Sequence, residues 1–431
     1  MRLGGRIAAA VEVIEDMDAR RRPVADALKD WGLAHRFAGS GDRAAIGNLV
    51  YDVLRRRRSL GWRMGAEDAA SLVFGTLLDG GRDAGGLAGE LEGDRFAPAL
   101  PPEERIERFL TADVEWAPAA VQADVPDWLV EPLRAALGEE WIEEARAFSA
   151  RPPLDMRANR LKSSREAVLA ALAPFGAAPT PIAPQGLRIP PIEGEGRHPN
   201  VQVEGAFQTG LFEIQDEGSQ IAAELCGARP GEAVLDYCAG AGGKTLALAA
   251  AMGGEGAVHA FDSDRQRLAP IWERLNRAGA ANVTVHSPRD DLSPLADAMD
   301  RVVVDAPCTG AGTWRRRPDA KWRLGEKQLL RRQEEQDNVL DAACRFVRPG
   351  GHLFYVTCSL LRAENAERVE AFLARHTGFA LLDARLLWAD RFPQAGPRYL
   401  AEEIGEGAVL TLTPRRTGTD GFFFAALERR G

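Results

Sequence analysis

From about Ala206 to the C-terminus, apolar runs of strand length alternate with helix-patterned segments. The runs are AVLDYC (Ala233–Cys238), AVHAFD (Ala257–Asp262), VTVHS (Val283–Ser287), RVVVDAP (Arg301–Pro307), GHLFYVTC (Gly351–Cys358) and GFFFAAL (Gly421–Leu427). Helical segments lie between the first five, so the fold expected is a mostly parallel sheet with crossover helices. Ligands in such sheets bind at the carboxyl ends of the strands, and the chemically interesting residues fall there. Cys308 follows Val302–Val304 and Cys358 follows Leu353–Val356. Two thiols at strand ends in one domain suggest covalent chemistry performed twice at one site.

The first of these strands runs into DYCAGAGGKT (Asp236–Thr245) and then a helix. Glycines allow close approach of a ligand to the backbone, and a helix N-terminus favours electronegative groups. The next strand ends on Asp262, whose carboxylate is placed to accept the hydroxyls of a ribose. Gly-Gly-Lys-Thr invites comparison with a phosphate-binding loop, but Cys238 stands where that motif needs its first glycine. A Gly-rich loop with a ribose carboxylate does not by itself separate NAD from S-adenosylmethionine.

Upstream the texture differs. Arg6 to about Trp62 reads as amphipathic helices, with Asp42 as a candidate N-cap, and Gly80–Pro102 reads as a loop. Asp127–Ala150 returns to helix. PLDMRANRLK then reads as a strand, and SSREAVLAALAPFG as a helix begun by Ser163 or Ser164. Three regions follow: an all-helical module over 1–145, a small α+β unit over 146–205, and the α/β domain over 206–431.

The 431 residues carry a net charge of −9, which argues against indiscriminate nucleic-acid binding, so the local clusters Arg55–Arg58, Arg315–Arg317 and Arg331–Arg332 matter more. No apolar run is long enough to cross a bilayer, and a cytoplasmic protein is expected. Five cysteines without a C-x-x-C pair argue against a disulfide framework and against structural zinc. Cys226 and Cys344 lie in helix-like apolar contexts and read as buried and inert.

DAPCTGAGTWRRRPDAKW, TCSL, DYCAGAGGKT, FQTGLFEIQDEGSQ and MRANRLK together resemble the RNA 5-methylcytosine methyltransferases of the Sun/Nop2 type, over about Pro126 to the C-terminus. DRAAIGNLVYDVLRRRRSLGW is similar, more loosely, to the NusB-like RNA-binding domain of the bacterial 16S rRNA member of that family. The resemblance implies a Rossmann-like class I methyltransferase domain, S-adenosylmethionine as methyl donor, and transfer to carbon 5 of a cytosine in RNA. Ribosomal RNA is favoured over transfer RNA. The chemistry suits two thiols: carbon 5 of cytosine is a poor nucleophile until a thiolate adds at carbon 6.

By the same resemblance Cys358 is the nucleophile and Cys308 assists product release. Asp305 contacts the cytosine edge, as a neutral carboxyl of raised pKa, and Lys244 stands near the donor and the reacting centre. Donor contacts carry over to Cys238, Ala239, Gly240, Ala241, Gly242, Gly243, Lys244, Asp262 and Asp305. A further adenine contact falls on Asp290 or Asp291, because the region reads HSPRDD where the family has Gly-Asp. Gly240–Ala241 replaces the family's Ala-Pro, losing a rigid turn but no contacting side chain. Cytosine must be unstacked to present carbon 6. Arg157, Asn159, Lys162, Arg315, Arg316, Arg317 and Lys321 are the candidates for phosphate and flanking-base contacts. No metal, no membrane and a monomer are expected. A non-catalytic assembly factor, and a DNA cytosine methyltransferase, fit less well: the first because Cys308, Cys358, Asp305 and Lys244 are all intact, the second because of the second thiol.

Overall fold

A computed structural model describes residues 1–192 and 194–431. They form two compact units: Met1–Arg151 with Ile192–Arg197 and Trp314–Leu324, and Pro152–Pro191 with His198–Thr313 and Gly325–Gly431. The α+β region expected as a separate domain lies within the second unit.

The first unit is helical. Helices Leu3–Arg20, Ser40–Arg55 and Ala69–Asp79 present apolar faces to one core that includes Ile7, Ile14, Val50, Val53, Leu72 and Phe74. Asp68 caps the third by accepting from Ser71 N at 2.9 Å. Asp42 is not a cap: its helix starts two residues earlier at Ser40, and its carboxylate accepts from Arg6 Nε instead. The expected loop at Gly80–Pro102 contains a helix, Ala84–Leu91, that is capped by Asp83 and buries Leu87 and Leu91. Its glycines obscured it, since their helix propensity is poor and packing overrides that. The Trp314–Leu324 segment belongs to this unit: Trp314 meets the Phe148 ring edge-on, and Trp322 Nε1 donates to Leu54 O at 2.7 Å. Among the described residues no helix is long and apolar enough to cross a membrane.

The second unit holds two sheets. In the smaller, antiparallel one, β1 (Leu154–Ala158), β2 (Ala178–Pro179), β3 (Gly186–Ile189) and β4 (Phe212–Ile214) lie in the order β2-β3-β1-β4. Ser164 caps the helix Arg165–Leu172 that packs on it. The larger sheet contains all six expected strands: β5 (Ala233–Asp236), β6 (Ala257–Phe261), β7 (Val283–His286), β8 (Met299–Asp305), β9 (Val347–Thr357) and β13 (Phe422–Arg429). It also contains β10 (Phe379–Leu381), β11 (Leu400–Ile404) and β12 (Gly407–Leu412), which pattern reading missed. The order is β11-β12-β13-β9-β8-β5-β6-β7, with β10 on β13, and β9-β8-β5-β6-β7 are parallel. One connection departs from expectation: only a 3-10 turn, Ser293–Leu295, lies between β7 and β8.

Both faces of the sheet are covered, which is why its strands read as continuous apolar runs rather than alternating ones. In β13, Phe422, Phe424 and Ala426 enter one core while Phe423, Ala425 and Leu427 enter the other. The chain runs outward from β5 through β6 to β7, then returns to β8 on the other side. The crevice at the carboxyl ends of β5 and β8 is therefore a topological switch point.

Candidate active site

Asp236, Asp262, Asp305 and Cys358 stand at or just past the ends of β5, β6, β8 and β9, four neighbouring strands. Asp305 is in register with Val356, and Ala306 N donates to Val356 O at 2.9 Å, so the segments after β8 and β9 emerge side by side. The Cys308 and Cys358 sulfurs are 3.4 Å apart. The loops meet so closely at Gly312 that a Cβ there would lie 2.1 Å from Gly421 O, and Gly312 N donates to Cys358 O at 2.9 Å.

Lys244 lies in the first turn of the helix Gly243–Ala251, 4% exposed. Its ammonium pairs with Asp305 Oδ2 at 2.7 Å, donates to Ser219 Oγ at 3.3 Å and sits 5.3 Å from the centre of the Phe422 ring. Burial opposes its charge, yet Asp305 and Cys358 outweigh burial and raise its pKa above the ordinary lysine value. The hydrogen bond to Cys358, then burial, push the Cys308 thiol well above the usual range. Asp305 was expected as a neutral donor. It is instead one half of an ion pair with the Lys244 ammonium.

Two consecutive residues beyond β9 bind the segments that carry the thiols. Glu364 is fully buried. Its Oε1 accepts from Thr309 N at 2.7 Å and Gln336 Nε2 at 3.0 Å, and its Oε2 accepts from Thr309 Oγ1 and Ser359 Oγ, both at 2.5 Å. Asn365 accepts from Thr357 Oγ1 at 2.6 Å and donates to Ser359 O at 3.0 Å. Sequence reasoning missed both. The available signal was an acidic–amide pair six and seven residues after a strand-end cysteine.

The Gly-rich loop turns on left-handed glycines, Gly240 at φ 49° and Gly242 at φ 82°. Gly242 precedes the helix, and a Cβ on it would meet Ile271 at 2.6 Å, so no other residue fits. Asp262 accepts from Gly240 N at 2.9 Å and Asp264 N at 2.8 Å, tying the β6 end to this loop. Ala239, Ala241 and Gly243 complete the turn, while burial pushes the Cys238 thiol well above its ordinary range. Next to it is a cavity of 740 Å³ lined by Ser263, Leu268, Trp272, Val285, Pro288 and Asp290. Asp290 also accepts from Ser287 N, whereas Asp291 is engaged with Ser293. A cavity with apolar walls at Leu268, Trp272 and Val285, polar groups that include Arg265, Arg289 and the Asp290 carboxylate, and a neighbouring loop open to close approach fits an adenosine-bearing ligand.

Asp236 is fully buried and accepts from Thr245 Oγ1 at 2.7 Å, while its Oδ1 has no partner among the described residues. Burial pushes its carboxyl up to about 7. The folded protein thus retains a proton that the unfolded chain releases near pH 4. The stability this contributes is complete below about pH 4 and is lost as pH rises towards 7. Asp236→Asn should remove that loss, on the order of 2–4 kcal/mol. Urea denaturation of parent and variant at pH 5 and pH 8 checks it: the variant should gain on the parent at the higher pH.

The candidate RNA contacts divide. Arg157 is buried, its Nε donates to Gln215 Oε1 at 2.7 Å, and burial lowers its pKa to about 10. Asn159 is buried and donates to Gly210 O and Ala278 O. Lys321 is buried in the first unit, donating to Arg55 O at 3.0 Å over the Trp322 ring, and burial lowers its pKa to about 8. Arg315 is buried too, its carbonyl held by Arg55. All four are buried, unlike the surface cations expected to meet phosphate. Lys162, Arg316 and Arg317 reach the surface, Lys162 with its ammonium on Thr209 O and Arg277 O.

A family model described as 16S rRNA methyltransferase RsmB/F matches residues 224–428, and one described as the RsmF/B-like methyltransferase ferredoxin-like domain matches residues 125–191. The probable ribosomal RNA small subunit methyltransferase B of Synechocystis sp. is 32% identical over 314 residues, covering 72% of this chain and 67% of that protein. Ribosomal RNA small subunit methyltransferase B of Erwinia tasmaniensis is 33% identical over 309 residues, covering 71% and 66%. The chain thus spans about two thirds of the length of these relatives. Among solved structures, PH0851 superposes with a TM-score of 0.71 at 23% identity, covering 100% of this chain and 99% of that one. A methyltransferase homolog protein from Pyrococcus horikoshii gives 0.58 at 26% identity, covering 72% and 97%.

Proposed function

The chain belongs to the RsmB/F family of 16S rRNA methyltransferases, and from that premise we propose that it methylates carbon 5 of a cytosine in RNA, small-subunit ribosomal RNA first, through a covalent bond between Cys358 and the base. The observation that carries this reading is the pair of sulfurs 3.4 Å apart at the strand ends that also hold the ion pair of buried Lys244 with half-buried Asp305.

S-adenosylmethionine supplies an electrophilic methyl group. The Gly-rich loop, Asp262 and the cavity bearing Asp290 would hold its adenosine, leaving the methyl towards the thiols. The chain's own residues do the rest. Lys244 places a fixed positive charge near the reacting centre, where it stabilises negative charge developing during the reaction and costs no reorganisation. Addition of the Cys358 sulfur at carbon 6 opens the carbon 5–carbon 6 double bond and moves its electron pair to carbon 5, which would take the methyl as the donor's carbon–sulfur bond breaks and a neutral thioether leaves. Asp305, ionised and held by Lys244, accepts from the exocyclic amino group of the base. Loss of the carbon 5 proton to a base re-forms the double bond and expels the Cys358 sulfur. The Cys308 thiol, protonated and within hydrogen-bond reach, receives that sulfur as it leaves.

The test is bisulfite mapping of ribosomal and transfer RNA from cells lacking the protein. One 5-methylcytosine should vanish from the small-subunit RNA and return when the gene is restored. An unchanged map would refute the proposal, and a loss confined to transfer RNA would redirect the substrate.

A further inference from the structure

We propose that Glu364 is a positioning residue that clasps the Cys308 and Cys358 loops together and assigns the two sulfurs different roles. This rests on the covalent reading above. Its carboxylate takes four donors, two from Thr309, which adjoins Cys308, one from Ser359, which adjoins Cys358, and one from Gln336. No other side chain described here binds residues adjoining both cysteines. The link is doubled from the backbone side, since Tyr355 Oη donates to Glu364 O at 2.6 Å and Asn365 holds Thr357 and Ser359. Both sulfurs are thereby fixed on one side of a single buried anchor.

The clasp is also asymmetric in charge. A buried carboxylate bonded to the amide next to Cys308 disfavours a second negative charge at that sulfur. The Lys244 ammonium interacts electrostatically with Cys358. The carboxylate thus helps keep the Cys308 sulfur protonated, while the cation of Lys244 acts on Cys358.

Glu364→Gln keeps the shape and removes the charge. Its kcat for RNA methylation should fall about 10²-fold, as expected for sub-ångström misplacement of reacting groups, with KM for S-adenosylmethionine within twofold of the parent. In the RNA-free protein, iodoacetamide labelling followed by mass spectrometry should show Cys308 alkylated about tenfold faster relative to Cys358, one pKa unit being a tenfold change in thiolate. A purely structural role would move neither the labelling ratio nor kcat at constant KM. Should Glu364→Gln fold poorly, Thr309→Val removes one donor to the same carboxylate but leaves its charge, so kcat should fall while the labelling ratio stays parental, and Thr309→Ser should keep both at parental values. Parental kcat together with a parental labelling ratio would overturn the proposal. Because labelling needs no RNA, that outcome is distinct from failure of the covalent reading, which would show as methylation surviving Cys358→Ala.

Discussion

Cys358→Ala is expected to lose RNA methylation by at least about 10⁴-fold, the scale on which enzymes lose rate when a covalent nucleophile is removed, and to form no protein–RNA adduct stable to denaturing electrophoresis. Cys308→Ala is expected to do the opposite with respect to the adduct: it should accumulate a covalent complex, because addition and methyl transfer proceed while the departing sulfur has lost its hydrogen-bond partner 3.4 Å away. The two variants remove atoms of the same kind from adjacent positions, so the contrast isolates role from packing. An adduct in Cys358→Ala and none in Cys308→Ala would exchange the assignments. Adducts in neither, with methylation retained, would remove the covalent step altogether.

Lys244→Met should lower methylation about 10²–10³-fold, the range found when one preorganised electrostatic group is removed from a closed site. Two effects act together. The Cys358 sulfur loses its neighbouring cation, and Asp305 loses the partner at 2.7 Å that orients it towards the base. Alkylation of Cys358 as a function of pH separates them: the profile should move to higher pH in Lys244→Met and far less in Asp305→Asn, where the ammonium remains. If Lys244→Met labels as the parent does, the lysine serves only to hold Asp305.

The strands of the large sheet were legible because a strand buried on both faces leaves an uninterrupted apolar run, as in Phe422–Leu427. The edge of that sheet was not, since Leu400–Ile404 reads LAEEI, half polar, and lies where one side is open. The thiols, the Gly-rich loop and Lys244 were found because each combines a residue type with a strand or helix end. The state of Asp305 was hidden because its partner is 61 positions away in sequence, and proximity of that kind is set by sheet order alone. Arg157, Arg315 and Lys321 look like surface cations in any linear reading, for such residues are rarely buried. Their burial follows from internal acceptors that only the fold supplies. Glu364 escaped for a related reason: an acidic residue in a polar stretch looks solvated until its four donors are assembled around it.

The membership of Trp314–Leu324 in the helical unit, only six residues beyond Cys308, bears on how the protein can be divided. Cutting it at Arg151 should destabilise what remains. It would leave a loop carrying the indoles of Trp314 and Trp322 stripped of Phe148 and Leu54, the groups they rest on. A version of the protein without the amino-terminal helices would therefore need different side chains in this stretch, six positions beyond Cys308.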